Sequence, residues 1–189
     1  MDYKYKFSVV IPVYNVEGYL AETLDSVIRQ SIGFENNIQI ILVNDGSPDD
    51  SEKICLEYAK KYPDNILYLK QENKGVSAAR NYGMQYVEGK YVNFLDSDDK
   101  WTSGSFQAVY DFFEKRRDKI DLVACPQKFF EARDDYHWLF FKYEQGSRII
   151  DVLEKYNYVQ MHVTASFVKA EVLKTHRFDE KLKFAEDSK

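Results

Sequence analysis

Apolar and polar positions along most of this chain switch between two periods. Phe7 to Val13 (FSVVIPV) is a continuous apolar run rich in β-branched residues, the pattern of a strand buried on both faces. After it, Val16, Tyr19, Leu20, Thr23, Leu24, Val27 and Ile28 recur at i, i+3, i+4 and i+7 spacing, which predicts an amphipathic helix. Ile38 to Val43 predicts a second strand, residues 51–61 a helix N-capped by Asp49 or Asp50, and Ile66 to Leu69 a short third strand. A helix over 76–87 carries a stripe of Val76, Ala79, Gly83, Met84 and Val87. Its small members allow close packing on a sheet, and Gly89 suits its C-terminal end. Tyr91 to Leu95 predicts a fourth strand, residues 105–116 a helix and residues 120–124 a fifth strand. Strands alternating with helices at this spacing predict an α/β fold: a doubly wound, mostly parallel sheet with helices on both faces. After Pro126 the pattern loosens. Tyr136 to Tyr143 (YHWLFFKY) is dense in aromatics, and Val159 to Val168 reads as a further strand.

Composition narrows the function classes. Lys plus Arg number 26 against 31 Asp plus Glu, a net charge of −5 that argues against general attraction to a nucleic acid backbone. Cys55 and Cys125 lack metal-type spacing and read as two reduced thiols of a cytoplasmic protein. No apolar run approaches the ~18 residues of a membrane span, and the first residues lead directly into a strand, unlike a signal peptide. Attachment to the inner face of a membrane would need other segments or partners. The aromatic segment 136–143 suits core packing or a hairpin, an acceptor platform, or a homo-oligomer face.

The candidate chemistry lies at strand ends. Three polar clusters follow predicted strands: Pro12 to Glu17, Asn44 to Ser47, and Asp96-Ser97-Asp98-Asp99. In open α/β sheets ligands bind outside the carboxyl ends of the strands, so three clusters on one rim make one candidate site. Three carboxylates within four residues repel one another unless a cation or several donors sit between them. Oxygen ligands of this kind suit Mg²⁺ or Mn²⁺, with substrate phosphates completing the shell. The alternative is a solvated loop capping the next helix. Neither a dinucleotide glycine fingerprint nor a phosphate-binding P-loop is present, which leaves more of the charge neutralisation to a metal. His137, His162 and His176 show no pairing that suggests a metal site.

VVIPVYN (residues 9–15), VNDGSPDDS (43–51), ENKGVSAARNYG (72–83), GKYVNFLDSDD (89–99) and FAEDS (184–188) resemble, in order and spacing, the successive motifs of family 2 glycosyltransferases with the GT-A fold. The resemblance implies transfer of a sugar from a nucleotide-diphosphate donor to a carbohydrate or polyol hydroxyl, with inversion. It implies that Pro12, Tyr14 and Glu17 line the nucleotide pocket and that Asp45 accepts a hydrogen bond from the base. Lys74, Gly75 and Arg80 border the nucleotide or diphosphate, although Arg80 is equally suited to pair with the acidic turn. Asp96 resembles the first carboxylate of the family's D-x-D motif and Asp98 the metal-binding one. Asp99 is an extra carboxylate or a helix cap.

Asp187 matches the second acid of the family's terminal Glu-Asp motif and is the candidate general base, with Glu186 orienting the acceptor or packing. The family motif normally leads into further helical structure, so a longer protein is expected. One domain is expected throughout, with a nucleotide-sugar half over 7–124 and an acceptor half over 125–189. Residues 128–135 (KFFEARDD) resemble glycosyltransferase modules attached to wall-polymer transferases, which implies cell-surface polysaccharide synthesis. The rival class is a non-catalytic module that binds a nucleotide sugar or scaffolds a larger synthase.

Overall fold

A computed structural model of the chain describes residues 2–116, 119–126 and 162–181. Its centre is β1 (Tyr5–Val13), with β2 (Ile38–Asn44) and β3 (Ile66–Lys70) on one side. On the other lie β4 (Gly89–Phe94), then β6 (Ser166–Lys169), then β5 (Leu122–Ala124) at the edge, for the order β3-β2-β1-β4-β6-β5. β1 to β4 are mutually parallel, in register Val9 beside Ile40 and Asn93. β6 runs antiparallel to both β4 and β5. The fifth strand of the chain therefore keeps the direction of the fourth but does not touch it, because β6 is inserted between them.

Strand alternation sorts the core into two layers. Phe7, Val9, Ile11 and Val13 of β1, with Ile38, Ile40 and Leu42 of β2, face α1 (Leu20–Ile28), α2 (Phe34–Asn37), α3 (Ser51–Lys61) and α5 (Ser105–Lys115). Val10, Ile41, Val43, Val92 and Phe94 face α4 (Val76–Met84) and the stretch around Leu173 and Phe178. The fully buried Phe7 ring meets Phe106 and Phe167 edge-on, at 5.0 and 5.5 Å. α4 lies close against the sheet at Gly83, where a Cβ would stand 2.6 Å from Val10 Cγ1. The small-residue stripe of this helix thus lies against the sheet.

Several expected boundaries move. The first helix begins at Leu20, not Val16; residues 16–19 form a turn in which the Tyr19 and Leu20 N–H groups both donate to the Val16 carbonyl. That turn has the same i, i+3 spacing as a helix, so periodicity merges the two. α4 ends at Met84, three residues short of Val87. Gly89 opens β4 instead of closing the helix, because a Cβ there would lie 2.4 Å from Phe7 C and Ser8 N of the neighbouring strand. Within the predicted 159–168 strand, the described part is extended from Ser166, and β6 runs on to Lys169. The aromatic segment 136–143 and His137 lie outside the described residues.

Candidate functional site

Because β1 to β4 are parallel, the loops following them share one rim. Pro12 reaches that rim inside a central strand, where a missing N–H would normally break a ladder. Its partner on one side is Val43, while the β1–β4 pairing ends at Val10, where the Leu95 N–H donates to the Val10 carbonyl. Alternation turns the Pro12 nitrogen toward the β4 side, beyond that last bond, so the ring costs no ladder hydrogen bond.

The loops after β1 and β2 are laced together by side chains. The Glu17 N–H donates to Asp49 Oδ2 at 2.9 Å, and the Asp50 N–H donates to Glu17 Oε2 at 2.8 Å. The Val16 N–H donates to Ser51 Oγ at 3.0 Å, and the Ser51 N–H to Asp49 Oδ1 at 3.2 Å. Partial burial works to raise the Asp49 carboxyl, but hydrogen bonds from Ser51 and from the Glu17 N–H outweigh it and hold the group below its ordinary value. Asp50 occupies the N-cap position of α3 with no side-chain cap bond, so Asp49 supplies the carboxylate at this helix start. Asn15 takes a left-handed conformation, φ 55°, as the chain leaves β1, and Tyr14 beside it is half exposed at 49%.

Asp45 is buried and holds the loop that leads into α4. Its Oδ1 accepts from Lys74 N–H at 2.8 Å and from Gln71 Nε2 at 2.7 Å, and its Oδ2 accepts from Gly75 N–H at 2.8 Å. A buried carboxylate is tolerable because three donors surround it. The loop geometry requires glycine twice. Gly75 has φ 90°, and Gly46 has φ 72° with a Cβ position only 3.1 Å from Asn73 N. Lys74 itself is exposed.

The acidic turn follows β4. The Asp99 N–H donates to the Asp96 carbonyl at 3.1 Å, and the buried Ser97 accepts the Thr23 hydroxyl on its carbonyl at 2.8 Å, docking the turn on α1. Lys100 pairs with Glu22 of the same helix. Arg80 of α4 donates through Nη2 to Asp96 Oδ1 at 2.5 Å. Its guanidinium carbon lies 5.4 Å from the centre of the Phe178 ring, and its Nε is buried with no hydrogen-bond partner among the described residues. Of the two roles open to Arg80, pairing with the acidic turn is the one the geometry displays. Asp98 is exposed.

The fold thus brings Tyr14, Glu17, Asp45, Lys74, Gly75, Asp96 and Asp98 in loops, Pro12 near the end of β1 and Arg80 within α4 to one rim. Asp187 and Glu186 lie outside the described residues. Sequence reading missed Gln71, which follows β3 and makes a fourth rim loop, and Thr23 and Asn81, whose partners are remote in the chain. His162 offers its carbonyl to Ser166 Oγ, and the His176 ring lies 2.8 Å from the Val172 carbonyl, both local arrangements. Among the described residues, no group of three or more His, Cys, Asp or Glu side chains is placed to hold a metal. The acidic turn instead offers hard oxygen donors with Asp98 exposed, which fits a cation held by one or two carboxylates and by a bound diphosphate. No helix among the described residues is long and apolar enough to cross a membrane.

The chain is 51% identical over 188 residues to minor teichoic acid biosynthesis protein GgaB of Bacillus subtilis (strain 168), covering 100% of this chain and 21% of that protein. It is 40% identical over 185 residues to minor teichoic acid biosynthesis protein GgaA of the same organism, covering 96% of this chain and 41% of that one. It therefore spans well under half the length of these relatives. The S. aureus TarS 1–349 structure in complex with UDP superposes with a TM-score of 0.72 at 24% identity, over 96% of this chain and 52% of that one. Mannosyltransferase PcManGT from Pyrobaculum calidifontis, in complex with GDP-Man and Mn²⁺, gives 0.66 at 17% identity, over 95% and 49%. These likenesses show the GT-A fold. The model of the family described as glycosyl transferase family 2 matches residues 8–177, from the second residue of the β1 apolar run to the residue before Phe178, and this chain belongs to that family.

Proposed function

We propose that the chain is the catalytic domain of an inverting, metal-dependent glycosyltransferase. It would move a sugar from a nucleoside-diphosphate donor to an acceptor hydroxyl during synthesis of a teichoic-acid-type surface polymer. The observation that carries this reading is the rim itself, where a docked acidic turn with one exposed carboxylate faces the loops braced by Asp45 and Glu17. The relatives named for minor teichoic acid biosynthesis support the polymer class, and the UDP and UDP-GlcNAc complexes of TarS make a uridine nucleotide the first donor to test.

In this reading residues 7–124 bind the donor and 125–189 shape the acceptor side. Pro12 and Tyr14 line the nucleotide pocket, and Glu17 builds its wall by latching the loop at Asp50. A carboxylate offers about four acceptor positions. Three of those on Asp45 hold the Gln71–Gly75 loop, which leaves one for a base N–H. Lys74 and Gly75 border the diphosphate. Arg80 orients Asp96 toward the ribose side, and Asp98 holds the divalent cation, Mn²⁺ or Mg²⁺. A cation held there would offset charge on the departing diphosphate. Asp187 takes the proton of the attacking hydroxyl, and water is kept from the donor by the acceptor side.

Asp98→Asn tests the reading. Asp98 is exposed, so the variant should melt with the wild type. Turnover should fall on the order of 10²–10³-fold, and Mn²⁺ should no longer strengthen UDP binding in a thermal-shift titration. In the wild type, UDP with Mn²⁺ at ~100 times its dissociation constant should add about 2.7 kcal/mol of stability. A wild type that shows no metal-dependent shift, or a variant that retains full turnover, would remove the proposal and favour the scaffold alternative.

A further inference from the structure

The acidic turn has a backbone geometry with two forms, and one buried hydroxyl selects between them. The Asp99 N–H bonds the Asp96 carbonyl, so residues 96–99 close a β-turn with Ser97 and Asp98 at its two central positions. Among the described residues Asn15 is the one non-glycine residue with positive φ, and no peptide bond is cis. Asp98 therefore has a negative φ, and the turn is of type I. A type II turn differs chiefly in its central peptide. Here that peptide joins the Ser97 carbonyl to the Asp98 N–H. Turning it over takes ψ of the first central residue from about −30° to about 120° and φ of the second from about −90° to about +80°. The outer residues stay in place, while the Cα–Cβ bond of the second central residue swings to a new direction. Asp tolerates a left-handed conformation better than most residues, so its own chemistry does not exclude the flipped form.

The Thr23 hydroxyl donates at 2.8 Å to the Ser97 carbonyl, which belongs to the peptide that flips. Thr23 is fully buried in the first turn of α1. The chain beyond the turn is fastened separately. Ser26 Oγ accepts the Trp101 N–H at 3.1 Å, and the Gln30 side chain donates to the Thr102 carbonyl at 2.9 Å and accepts the Phe106 N–H at 3.2 Å. Before the flipping peptide, Asp96 is held by Arg80 from the opposite face of the sheet. Loss of the Thr23 hydroxyl thus leaves both ends of the turn anchored and frees the peptide between them.

We propose that Thr23 is a positioning residue that locks the acidic turn in its type I form and so aims the Asp98 carboxylate at the divalent cation. The proposal rests on the reading of Asp98 as the residue that holds that cation. A turn that is competent in about one molecule in ten binds its ligand about tenfold more weakly. Asp96 precedes the flipping peptide and keeps its partner, so nucleotide binding without metal is spared.

The test compares wild type with Thr23→Val, Thr23→Ala and Thr23→Ser. Mn²⁺ affinity is measured by electron paramagnetic resonance at saturating UDP, UDP affinity without metal by calorimetry, and the Asp98 amide signal by NMR of the ligand-free protein. Thr23→Val keeps the shape and loses the donor. Its Mn²⁺ dissociation constant should rise about tenfold, with metal-free UDP affinity held within about twofold. Its Asp98 amide signal should shift or broaden in the absence of any ligand. Thr23→Ala lets water reach the Ser97 carbonyl, so it carries the same test if Thr23→Val fails to fold. Thr23→Ser retains the hydroxyl and should match the wild type in all three measurements. The proposal is overturned by wild-type Mn²⁺ affinity in the Val and Ala variants, or by an Asp98 signal that does not move in them. It is overturned equally if metal-free UDP affinity falls by the same factor, as a generally loosened fold would give, or if Thr23→Ser loses as much as Thr23→Ala. A wild type that binds no Mn²⁺ alongside UDP would overturn the metal reading and this proposal with it, whereas a wild type that binds Mn²⁺ no better than Thr23→Val would overturn this proposal alone.

Discussion

Asp45 shows how much one side chain at the rim has to do before any ligand arrives. Three donors from Gln71, Lys74 and Gly75 converge on it, and the last two are backbone groups that would be left unpaired if it were lost. Asp45→Ala should therefore cost about 3 kcal/mol, the penalty of stranding partly buried donors of a charged acceptor. For a chain of this size that is a drop of roughly 10 °C in melting temperature, measured by thermal denaturation without ligand. Asp45→Asn keeps an acceptor oxygen and should lose less. The turn around Asp45 and Gly46 marks this position as a site residue in the sequence. Its loop-bracing partners are not legible there, because they stand 26 to 30 residues away and are chosen by how β2 and β3 pair. Arg80 is a similar case, since a guanidinium between two acidic customers satisfies either by charge alone, and only the packing of α4 on the sheet sets it beside Asp96.

At the scale of elements, strands and helices are legible where one period persists, and their ends are not. The turn at residues 16–19 merges with α1, and α4 stops short of Val87, because boundaries depend on what the neighbouring strand permits. Gly89 illustrates the point. Read along the chain it resembles a helix terminator, whereas across the sheet it is the residue that lets β4 lie against the backbone of β1. Gly89→Ala should destabilise the fold by about 3 kcal/mol, since strand backbone cannot yield as a side-chain tip can. Gly18, which has nothing within 4 Å of its Cβ position, is the control: Gly18→Ala should leave the urea midpoint in place. A loss at Gly18 equal to that at Gly89 would contradict the steric account.

For the molecule as a whole, the larger core layer is the one that includes Cys55, which is fully inaccessible. Burial, aided by the nearby Glu52 carboxylate, pushes its thiol from 9.0 up to about 12. A raised thiol pKa favours the folded state at all pH values below the unfolded pKa, and this contribution is lost as pH rises from about 9 toward 12. At pH 8 the native protein should leave Cys55 unmodified by iodoacetamide, and the residue should react once the chain is unfolded in urea. Labelling of Cys55 in the native protein at the rate of a free thiol would show that this layer opens readily. The same layer fixes the sheet order, because the fully buried Phe167 of β6 completes the aromatic cluster on Phe7 and Phe106 only from a place beside β4.

Periodicity and motif order were sufficient for the class of fold, its parallel half and the family, because these properties repeat over short stretches of chain and each repetition reinforces the others. They were sufficient as well to put nine candidate residues on one rim, since parallel strands must all end on the same side. The insertion of β6 between β4 and β5, the bracing of the Gln71–Gly75 loop by Asp45, the choice of Asp96 by Arg80 and the grip of Asn81 on Phe178 were set by contacts between distant segments. Such contacts are decided by which shapes fill the core and which buried polar groups find partners, a competition among all segments at once that no local pattern encodes.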